Sequence, residues 1–290
     1  MAVLLSLEGK TALITGGSRG IGAETVRLFV EAGARVAFNY RAAREQAEAL
    51  AAECGGPDRC VAIEQDLSSP EDGRALVRKA VAALGRLDIL VANHGIWEAE
   101  DAPIDRMSEA QWRRTMAVNL DAVFGLVQEA VGQMLEQVAG RGSGGTTALE
   151  RGAPSLEPGA IARSSSSDES KVKGHIVLIS STAGQRGEAY HADYAVTKGA
   201  IISLTKSLST ELAPKGIMVN CVAPGWVHTD MSAATLADSS LGPKIAAGIP
   251  VGRVATPREI AGPVLFLCTP MAGFISGEIL NVNGGAVLVG

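Results

Sequence analysis

Aromatic residues, histidines and cysteines are all scarce in this chain. Phe, Trp and Tyr together make up 4% of the 290 residues, so the core has to be built from Ala, Val, Leu and Ile. The four cysteines are Cys54, Cys60, Cys221 and Cys268. Because no two have C-x-x-C spacing and there are only four histidines, we expect free thiols and no metal site.

The chain also has no long apolar run and no excess of basic residues. No hydrophobic run reaches the roughly 18 residues that a membrane span needs. The net charge of −5 argues against a nucleic-acid groove, which requires a basic stripe. Residues Met1–Lys10 have neither the basic region nor the cleavage pattern of a signal peptide. We therefore expect a cytoplasmic protein that binds neither membrane nor nucleic acid.

What is present is a regular alternation of short apolar runs and helical patterns. Hydrophobic residues make up 47% of the chain and charged residues 20%, which is typical of a globular protein. Strands are predicted at Thr11–Ile14, Arg35–Tyr40, Cys60–Ile63, Leu87–Val91, His175–Ile179, Ile217–Cys221 and Glu278–Val282. Helices are predicted at Ala23–Ala32, Ala42–Glu53, Pro70–Leu84, Ser108–Val138 (with a break near Asn119), Tyr190–Leu212 and Pro257–Cys268. This order predicts an α/β fold, a doubly wound parallel sheet of about seven strands with helices on both faces.

One segment interrupts the alternation. Residues 140–173 are rich in Gly and Ser, contain no aromatic residue and show no helix or strand period. Such a segment buries too little apolar surface to offset the entropy of ordering it. Without it about 256 residues remain, the size of one α/β domain. We therefore predict a single nucleotide-binding domain over residues 1–290 with a flexible insertion at 140–173, on the sheet edge opposite the catalytic residues.

A glycine-rich turn lies between the first predicted strand and helix. It reads Thr15-Gly16-x-x-x-Gly20-x-Gly22. Backbone N–H groups of such a turn approach a pyrophosphate closely, and the helix N-terminus adds positive potential. Because the turn sits inside the first β-α-β unit, it predicts a dinucleotide site.

Further motifs follow in a fixed order along the chain. They are Asp66-Leu67, Asn93-His94-Gly95, Asn119, Ser181, Tyr194-x-x-x-Lys198 and Pro224-Gly225. Together with the glycine-rich turn they resemble the classical short-chain dehydrogenase/reductase family over essentially the whole chain except residues 140–173. Within the family the chain is most similar to the 3-oxoacyl-[acyl-carrier-protein] reductase type.

The resemblance implies a nicotinamide cofactor and residues that bind it. These are Gly16, Ser18, Arg19, Gly20, Ile21, Gly22, Arg41, Asp66, Leu67, Asn93, Gly95, Tyr194, Lys198, Pro224, Gly225, Val227 and Thr229. NAD-preferring members usually place an acidic residue at the end of the second strand, where this chain has Tyr40 followed by Arg41. Arg19 and Arg41 could bind a 2′-phosphate, which favours NADPH over NADH.

The resemblance also implies a catalytic set of Asn119, Ser181, Tyr194 and Lys198. Tyr194 and Lys198 are spaced i, i+4 and therefore share one helix face. Tyr194 would give a proton to the carbonyl oxygen, which Ser181 would hold. Lys198 would bind the nicotinamide ribose, and with the positive charge of the oxidised cofactor it is expected to lower the tyrosine pKa. Asn119 would place a water that links Lys198 to solvent.

Some residues depart from the family pattern or have no assigned role. The usual Asn-Ala-Gly reads Asn93-His94-Gly95, and we expect the His94 ring to find a local partner. Trp97, Trp226 and His191 are candidates for lining the substrate mouth. The segment Trp226–Pro250 is expected to cover the substrate as a mobile lid.

The leading hypothesis is NADPH-dependent reduction of a 3-oxoacyl thioester to the alcohol. Alternatives are an alcohol, sugar or steroid dehydrogenase of the same family and, more remotely, a non-catalytic NADP(H) sensor. An acyl carrier protein is a candidate partner. Carrier proteins are strongly acidic, so docking needs a basic patch, for which Lys215 at the end of the Tyr194 helix is one candidate. Family members commonly form tetramers through the two long helices, here Asn119–Val138 and Tyr190–Leu212, and through the C-terminal strand, so a homotetramer is expected.

Overall fold

The structure is a computed structural model that describes residues 5–98, 100–142 and 172–289. Its seven strands are β1 (Thr11–Ile14), β2 (Arg35–Tyr40), β3 (Cys60–Glu64), β4 (Ile89–Ala92), β5 (Gly174–Ile179), β6 (Ile217–Pro224) and β7 (Ile279–Val282). They form one sheet of order β3-β2-β1-β4-β5-β6-β7, and every neighbouring pair is parallel. The predicted fold class is therefore confirmed.

The helices cover both faces of this sheet. They are α1 (Gly20–Glu31), α2 (Arg44–Glu53), α3 (Pro70–Leu84), α4 (Glu109–Met116), α5 (Ala122–Gly142), α6 (Thr182–Arg186), α7 (Ala192–Leu212), α8 (Asp230–Ala237), α9 (Leu241–Ala247) and α10 (Pro257–Leu267). One apolar core holds buried side chains of α1, α2 and α10, and the other holds those of α3, α5 and α7. Both cores consist mainly of Ala, Val, Leu and Ile, as the scarcity of aromatic residues requires.

The helix boundaries follow local chemistry. Ser69 begins α3, because its side chain accepts a hydrogen bond from the Asp72 amide at 3.2 Å and Pro70 follows at the first helical position. The first helix was predicted to begin at Ala23 but begins at Gly20, since the glycine-rich turn itself supplies its first turn.

The predicted break near Asn119 has a defined form. The backbone does not leave the helix there but widens into a π-helix over Ala117–Asp121, which we call the π segment and which joins α4 to α5. Such single-turn π-helices commonly mark functional sites.

Two segments differ from the sequence analysis or fall outside the structure. The expected covering loop Trp226–Pro250 contains the short helices α8 and α9. Helix α5 continues past the predicted end at Val138 to Gly142, and residues 143–171 of the predicted insertion lie outside the described residues. Within the described ranges, no helix combines the length and the apolar character that crossing a membrane requires.

Candidate active site

A cavity of about 580 Å³ lies at the carboxyl ends of the strands. It opens where β1 and β4 adjoin and the strand order reverses, which is where open α/β sheets bind ligands. Its walls include every residue predicted for the site except Asn119, namely Gly16, Ser18, Arg19, Gly20, Ile21, Gly22, Arg41, Asp66, Leu67, Asn93, Gly95, Ser181, Tyr194, Lys198, Pro224, Gly225, Val227 and Thr229. Residues separated by more than 200 positions thus meet in one cavity.

The glycine-rich turn has the shape of an anion cradle. Gly16 and Gly20 have φ of +63° and +55°, a region that side-chain-bearing residues rarely adopt. A Cβ on Gly22 would lie 2.1 Å from the Gly16 carbonyl oxygen, so the turn closes this tightly only with glycine there. Arg19 holds the N-cap position of α1, and its side chain makes no capping hydrogen bond. The N–H groups of the first turn are therefore not capped by that side chain, and the cradle fits a pyrophosphate.

The outer end of the cavity carries two arginines and no acidic residue at the end of β2. Tyr40 is buried there, and the exposed Arg41 follows it along the cavity wall. The Arg19 guanidinium is 3.4 Å from the Asp230 carboxylate, and both side chains are 69% exposed. A pair this exposed is weak, so Arg19 can exchange its partner for a bound phosphate.

Three side chains with acid–base chemistry meet at the inner end of the cavity. Ser181 follows β5 and begins α6, and its hydroxyl oxygen accepts a hydrogen bond from the Ala183 amide at 3.1 Å. Tyr194 and Lys198 project from α7, as their spacing predicts. The Lys198 ammonium donates to the Ile179 carbonyl at 2.8 Å and lies 5.7 Å from the Tyr194 ring centroid.

Burial dominates the pKa values of this pair. It raises the pKa of Tyr194 to about 12, while a hydrogen bond with Ser181 acts in the lowering direction. It lowers the pKa of Lys198 from 10.5 to about 8. In the cofactor-free cavity desolvation is the largest cause of the Tyr194 shift, and the Lys198 ammonium is directed at the β5 carbonyl. The lowering of the Tyr194 pKa by Lys198 together with the oxidised cofactor stays a prediction.

Asn119 lies behind the cavity wall and is held on several sides. Its Oδ1 accepts from the Ile96 amide at 2.8 Å, and its Nδ2 donates to the Ile96 carbonyl at 2.9 Å and to Thr197 Oγ1 at 3.3 Å. The side chain therefore links the π segment to the loop after β4 and to α7. A Cβ placed on Gly95 would meet Asn119 Oδ1 at 3.2 Å and Lys198 Nζ at 3.5 Å, so both groups border Gly95.

The substrate side of the cavity has an aromatic wall. Trp97 and Trp226 both line it, in a T-shaped pair with centroids 6.3 Å apart. The buried His191 packs against Trp97 at 4.9 Å, and its Nε2 lies 3.4 Å from an Asp101 oxygen. His191 thus supports the wall from behind and does not itself line the cavity.

The cavity also has two polar lining residues that the sequence did not predict. Arg186 and Glu188 line the cavity between Ser181 and Tyr194. Desolvation raises the pKa of the Glu188 carboxyl. Their place in the sequence between Ser181 and Tyr194 is the feature from which a position near the site could have been predicted. In the expected covering segment Trp226–Pro250, Met231 lines the cavity, whereas Ile249 is buried and does not line it.

No metal centre accompanies this cavity in the described part of the chain. Those residues contain no cluster of three or more His, Cys, Asp or Glu side chains that could hold a metal ion. All four cysteines are buried free thiols, as predicted.

Comparison with known proteins gives matches over almost the full length. Residues 10–142 match the family described as short chain dehydrogenase, and residues 160–287 match that described as enoyl-(acyl carrier protein) reductase. The chain is 35% identical to the 3-oxoacyl-[acyl-carrier-protein] reductase FabG of Staphylococcus aureus over 278 residues, which cover 95% of this chain and 97% of the relative.

Two solved structures extend this similarity to the fold. A 3-ketoacyl-(acyl-carrier-protein) reductase from Brucella melitensis, complexed with NADH, is 29% identical with a TM-score of 0.79 and covers 98% of this chain and 100% of its own. A protein from Beutenbergia cavernae, provisionally assigned as an NAD(P)-dependent gluconate 5-dehydrogenase and holding NADP at low occupancy, is 32% identical with a TM-score of 0.80. It covers 98% of this chain and 99% of its own.

Proposed function

The chain belongs to the short-chain dehydrogenase/reductase family, and from that membership we propose that it uses NADPH to reduce the 3-oxo group of acyl thioesters. As a member it is an NAD(P)-dependent oxidoreductase that acts on CH–OH groups and their carbonyl counterparts. The observation that carries the proposal is the meeting of Ser181, Tyr194 and Lys198 with the glycine-rich turn around one cavity. An intact set of this kind disfavours a non-catalytic nucleotide sensor.

The cofactor is held by groups already arranged around the cavity. The cradle formed by the glycine-rich turn and the N-terminus of α1 takes the pyrophosphate. Arg19 and Arg41 favour the 2′-phosphate of NADPH, and Asp66, Leu67 and Asn93 line the adjacent wall. When bound, the nicotinamide supplies a hydride to the carbonyl carbon of the substrate. Lys198 is the cation that would bind the hydroxyls of the nicotinamide ribose.

Tyr194 and Ser181 handle the oxygen of the substrate carbonyl. With its pKa near 12, Tyr194 keeps its phenolic proton at neutral pH and can donate it when negative charge develops on that oxygen. The Ser181 hydroxyl faces the same cavity and holds the oxygen by a hydrogen bond. The Lys198 ammonium beside the ring and the positive charge of the oxidised cofactor oppose the effect of burial once the ligands are bound. Asn119, bound to Thr197 on α7, keeps the π segment next to Lys198.

The thioester substrate is supported by the names of the relatives. The Staphylococcus aureus relative carries that activity in its name at 35% identity over nearly the whole chain. An acyl carrier protein as the carrier needs a basic surface. Lys215 is half exposed but is paired with Glu211 at 3.3 Å, so it offers a weakened positive charge.

A second candidate, reduction of a sugar-type ketone, is favoured by one observation. The Trp97–Trp226 wall and the Glu188 carboxyl place flat apolar faces and a hydrogen-bonding acid in one cavity. Ring-shaped hydroxylated substrates stack on indole faces and bond to such carboxyls. The Beutenbergia cavernae neighbour provisionally carries a sugar-acid assignment.

A substrate panel with a matched active-site variant tests these proposals. NADPH and NADH oxidation is measured with acetoacetyl thioesters of coenzyme A and of acyl carrier protein, simple ketones, keto sugars and steroids. We expect the highest kcat/KM with NADPH and an acetoacetyl thioester. Tyr194→Phe should abolish turnover and leave NADPH affinity unchanged, whereas retained turnover would remove Tyr194 from the acid role. A higher kcat/KM with a keto sugar would select the second candidate, and NADPH binding without any oxidation would select a sensor.

A further inference from the structure

His94 lies one residue before Gly95, where the family motif usually carries alanine. Its imidazole makes two hydrogen bonds, each to a different segment of the chain. Nδ1 is 2.8 Å from the Thr15 hydroxyl oxygen, and Nε2 is 3.0 Å from the Val118 carbonyl oxygen. Thr15 precedes the glycine-rich turn and Val118 belongs to the π segment, so one ring bridges the nucleotide cradle and the element that carries Asn119.

The hydrogen bonds around Thr15 and Val118 determine the state of the ring. The Val118 carbonyl can only accept, so Nε2 carries the proton and donates it. Thr15 Oγ1 already accepts from the amides of Asn93 at 2.9 Å and His94 at 3.1 Å. Its own proton has two acceptors within reach, Nδ1 of His94 at 2.8 Å and the Val91 carbonyl at 3.5 Å. The shorter contact is the one to Nδ1, which has an acceptor lone pair in the Nε2–H tautomer.

The surroundings keep the ring neutral, as this bridge requires. Burial and the nearby Lys198 ammonium lower the pKa of His94 to about 4. A protonated ring would present a donor at Nδ1 and lose the hydrogen bond from Thr15. At neutral pH the bridge is therefore intact.

We propose that His94 is a positioning residue that fixes the π segment, and with it Asn119, relative to the glycine-rich turn and Lys198. It does not touch the reacting atoms. Because Asn119 and Lys198 both border Gly95, a shift of the π segment changes the spacing of the groups assigned to proton transfer. This inference rests on the proposed function for the role of Asn119, while the bridge itself is a property of the fold.

Substitution of His94 separates this role from packing. His94→Ala restores the residue most common in the family motif and removes both hydrogen bonds, so the variant should fold. His94→Gln retains an acceptor and a donor on one short planar group. Since small misplacements of catalytic groups cost rate rather than affinity, we expect His94→Ala to lower kcat about tenfold. The KM for the thioester and the Kd for NADPH should change less than about threefold, and His94→Gln should recover most of kcat.

Two measurements on the cofactor-free protein do not depend on turnover. Nitrogen-15 NMR of the wild-type ring at pH 7 should show the neutral tautomer with the proton on Nε2. Amide hydrogen exchange across residues 117–121 should be faster in His94→Ala than in wild type and near wild type in His94→Gln. His228→Ala, which removes an exposed histidine elsewhere, is the matched control and should change neither.

The outcomes separate this proposal from the proposed function. Unchanged exchange over residues 117–121 in His94→Ala, or a ring protonated at Nδ1 in the wild type, overturns the bridge. Faster exchange with wild-type kcat overturns its role in positioning the catalytic groups. A wild type inactive on every carbonyl tested counts against the proposed function, while the exchange and NMR results still decide on the bridge.

Discussion

At the scale of single residues, the outer end of the cavity is characterised by positive charge and the inner end by a buried lysine. At the outer end, Arg19 and Arg41 are the proposed phosphate ligands. Arg19→Ala combined with Arg41→Ala removes two charge-assisted hydrogen bonds, each worth about 1.5 kcal/mol or more. We expect NADPH affinity to fall by about a hundredfold and NADH affinity to stay constant, as measured by fluorescence titration.

A variant at Asp230 serves as the matched control for this prediction. Asp230→Asn removes the carboxylate that Arg19 contacts at 3.4 Å. Because the pair is exposed, its loss should tighten NADPH binding only slightly, by about threefold or less. Retention of the NADPH preference in the double alanine variant would show that the 2′-phosphate is recognised elsewhere.

At the inner end, the buried Lys198 costs stability in the cofactor-free protein. A pKa lowered from 10.5 to about 8 corresponds to a loss of about 3 kcal/mol of folding stability at neutral pH. Lys198→Met removes this cost but also loses the hydrogen bond to Ile179, which is worth about 1 kcal/mol. We expect this variant to be inactive yet more stable than wild type by about 2 kcal/mol in urea denaturation at pH 7.

The pH dependence of this difference follows from the sign of the shift. The folded state releases the Lys198 proton near pH 8 and the unfolded state near 10.5, so the wild type regains stability as the pH rises between these values. The advantage of Lys198→Met should therefore shrink from pH 8 to 10.5. An advantage constant over that range would contradict the lowered pKa, and Lys206→Met on the exposed face of α7 should show no such change.

The order of motifs sufficed to predict which residues gather at the cavity, but not their electrostatics. The spacing of Tyr194 and Lys198 places both on one helix face. It carries no information on the burial of Lys198 or on its hydrogen bond to the carbonyl of Ile179, nineteen residues upstream. Glu188 was missed for a related reason, since only the path of the chain after β5 turns it into the cavity.

At the scale of elements, the packing of α3 against α5 depends on glycine. A Cβ on Gly125 would lie 1.9 Å from the Pro70 carbonyl oxygen, whereas a Cβ on Gly132, further along α5, would meet nothing within 4 Å. Gly125→Ala should lower the free energy of unfolding by about 1 to 3 kcal/mol through overpacking. Gly132→Ala should raise it by up to about 1 kcal/mol.

Urea denaturation of both variants at one protein concentration measures the difference. Equal stabilities would mean that α3 and α5 do not approach as closely as described.

The π segment shows how far the sequence predicts the form of an element. A break near Asn119 was predictable, but a widened turn was not, because it depends on tertiary contacts of Asn119 and His94 with residues distant in sequence.

At the scale of the whole molecule, the proposed tetramer uses the outer faces of α5 and α7. Phe124 and Val196 are about half exposed on these helices, at 50% and 48%. Apolar side chains this exposed fit the core of a subunit interface. We expect sedimentation at micromolar concentration to give a tetramer and Phe124→Glu to give a smaller species. Ile104→Glu, exposed but outside both helices, should leave the assembly unchanged, and a monomeric wild type would reject the tetramer.

The predicted insertion was expected to leave the chemistry untouched, and the described residues flanking it support that expectation. The Lys173 amide donates to the Gly216 carbonyl at 2.7 Å, just before β6 begins, so the chain re-enters the sheet at the amino ends of the strands. The cavity lies at the carboxyl ends, beyond the full length of β5. We therefore propose that residues 143–171 are an appendage to a single catalytic domain.

Replacing residues 143–171 by a short Gly/Ser linker tests this proposal. We expect kcat, KM and NADPH affinity to stay within about twofold of the wild-type values, because neither the cavity nor α7 is altered. Sedimentation is measured alongside, so that a change in assembly is not mistaken for a change in chemistry. A large loss of turnover in a folded variant of unchanged assembly would mean that the segment reaches an active site, its own or that of a neighbouring subunit.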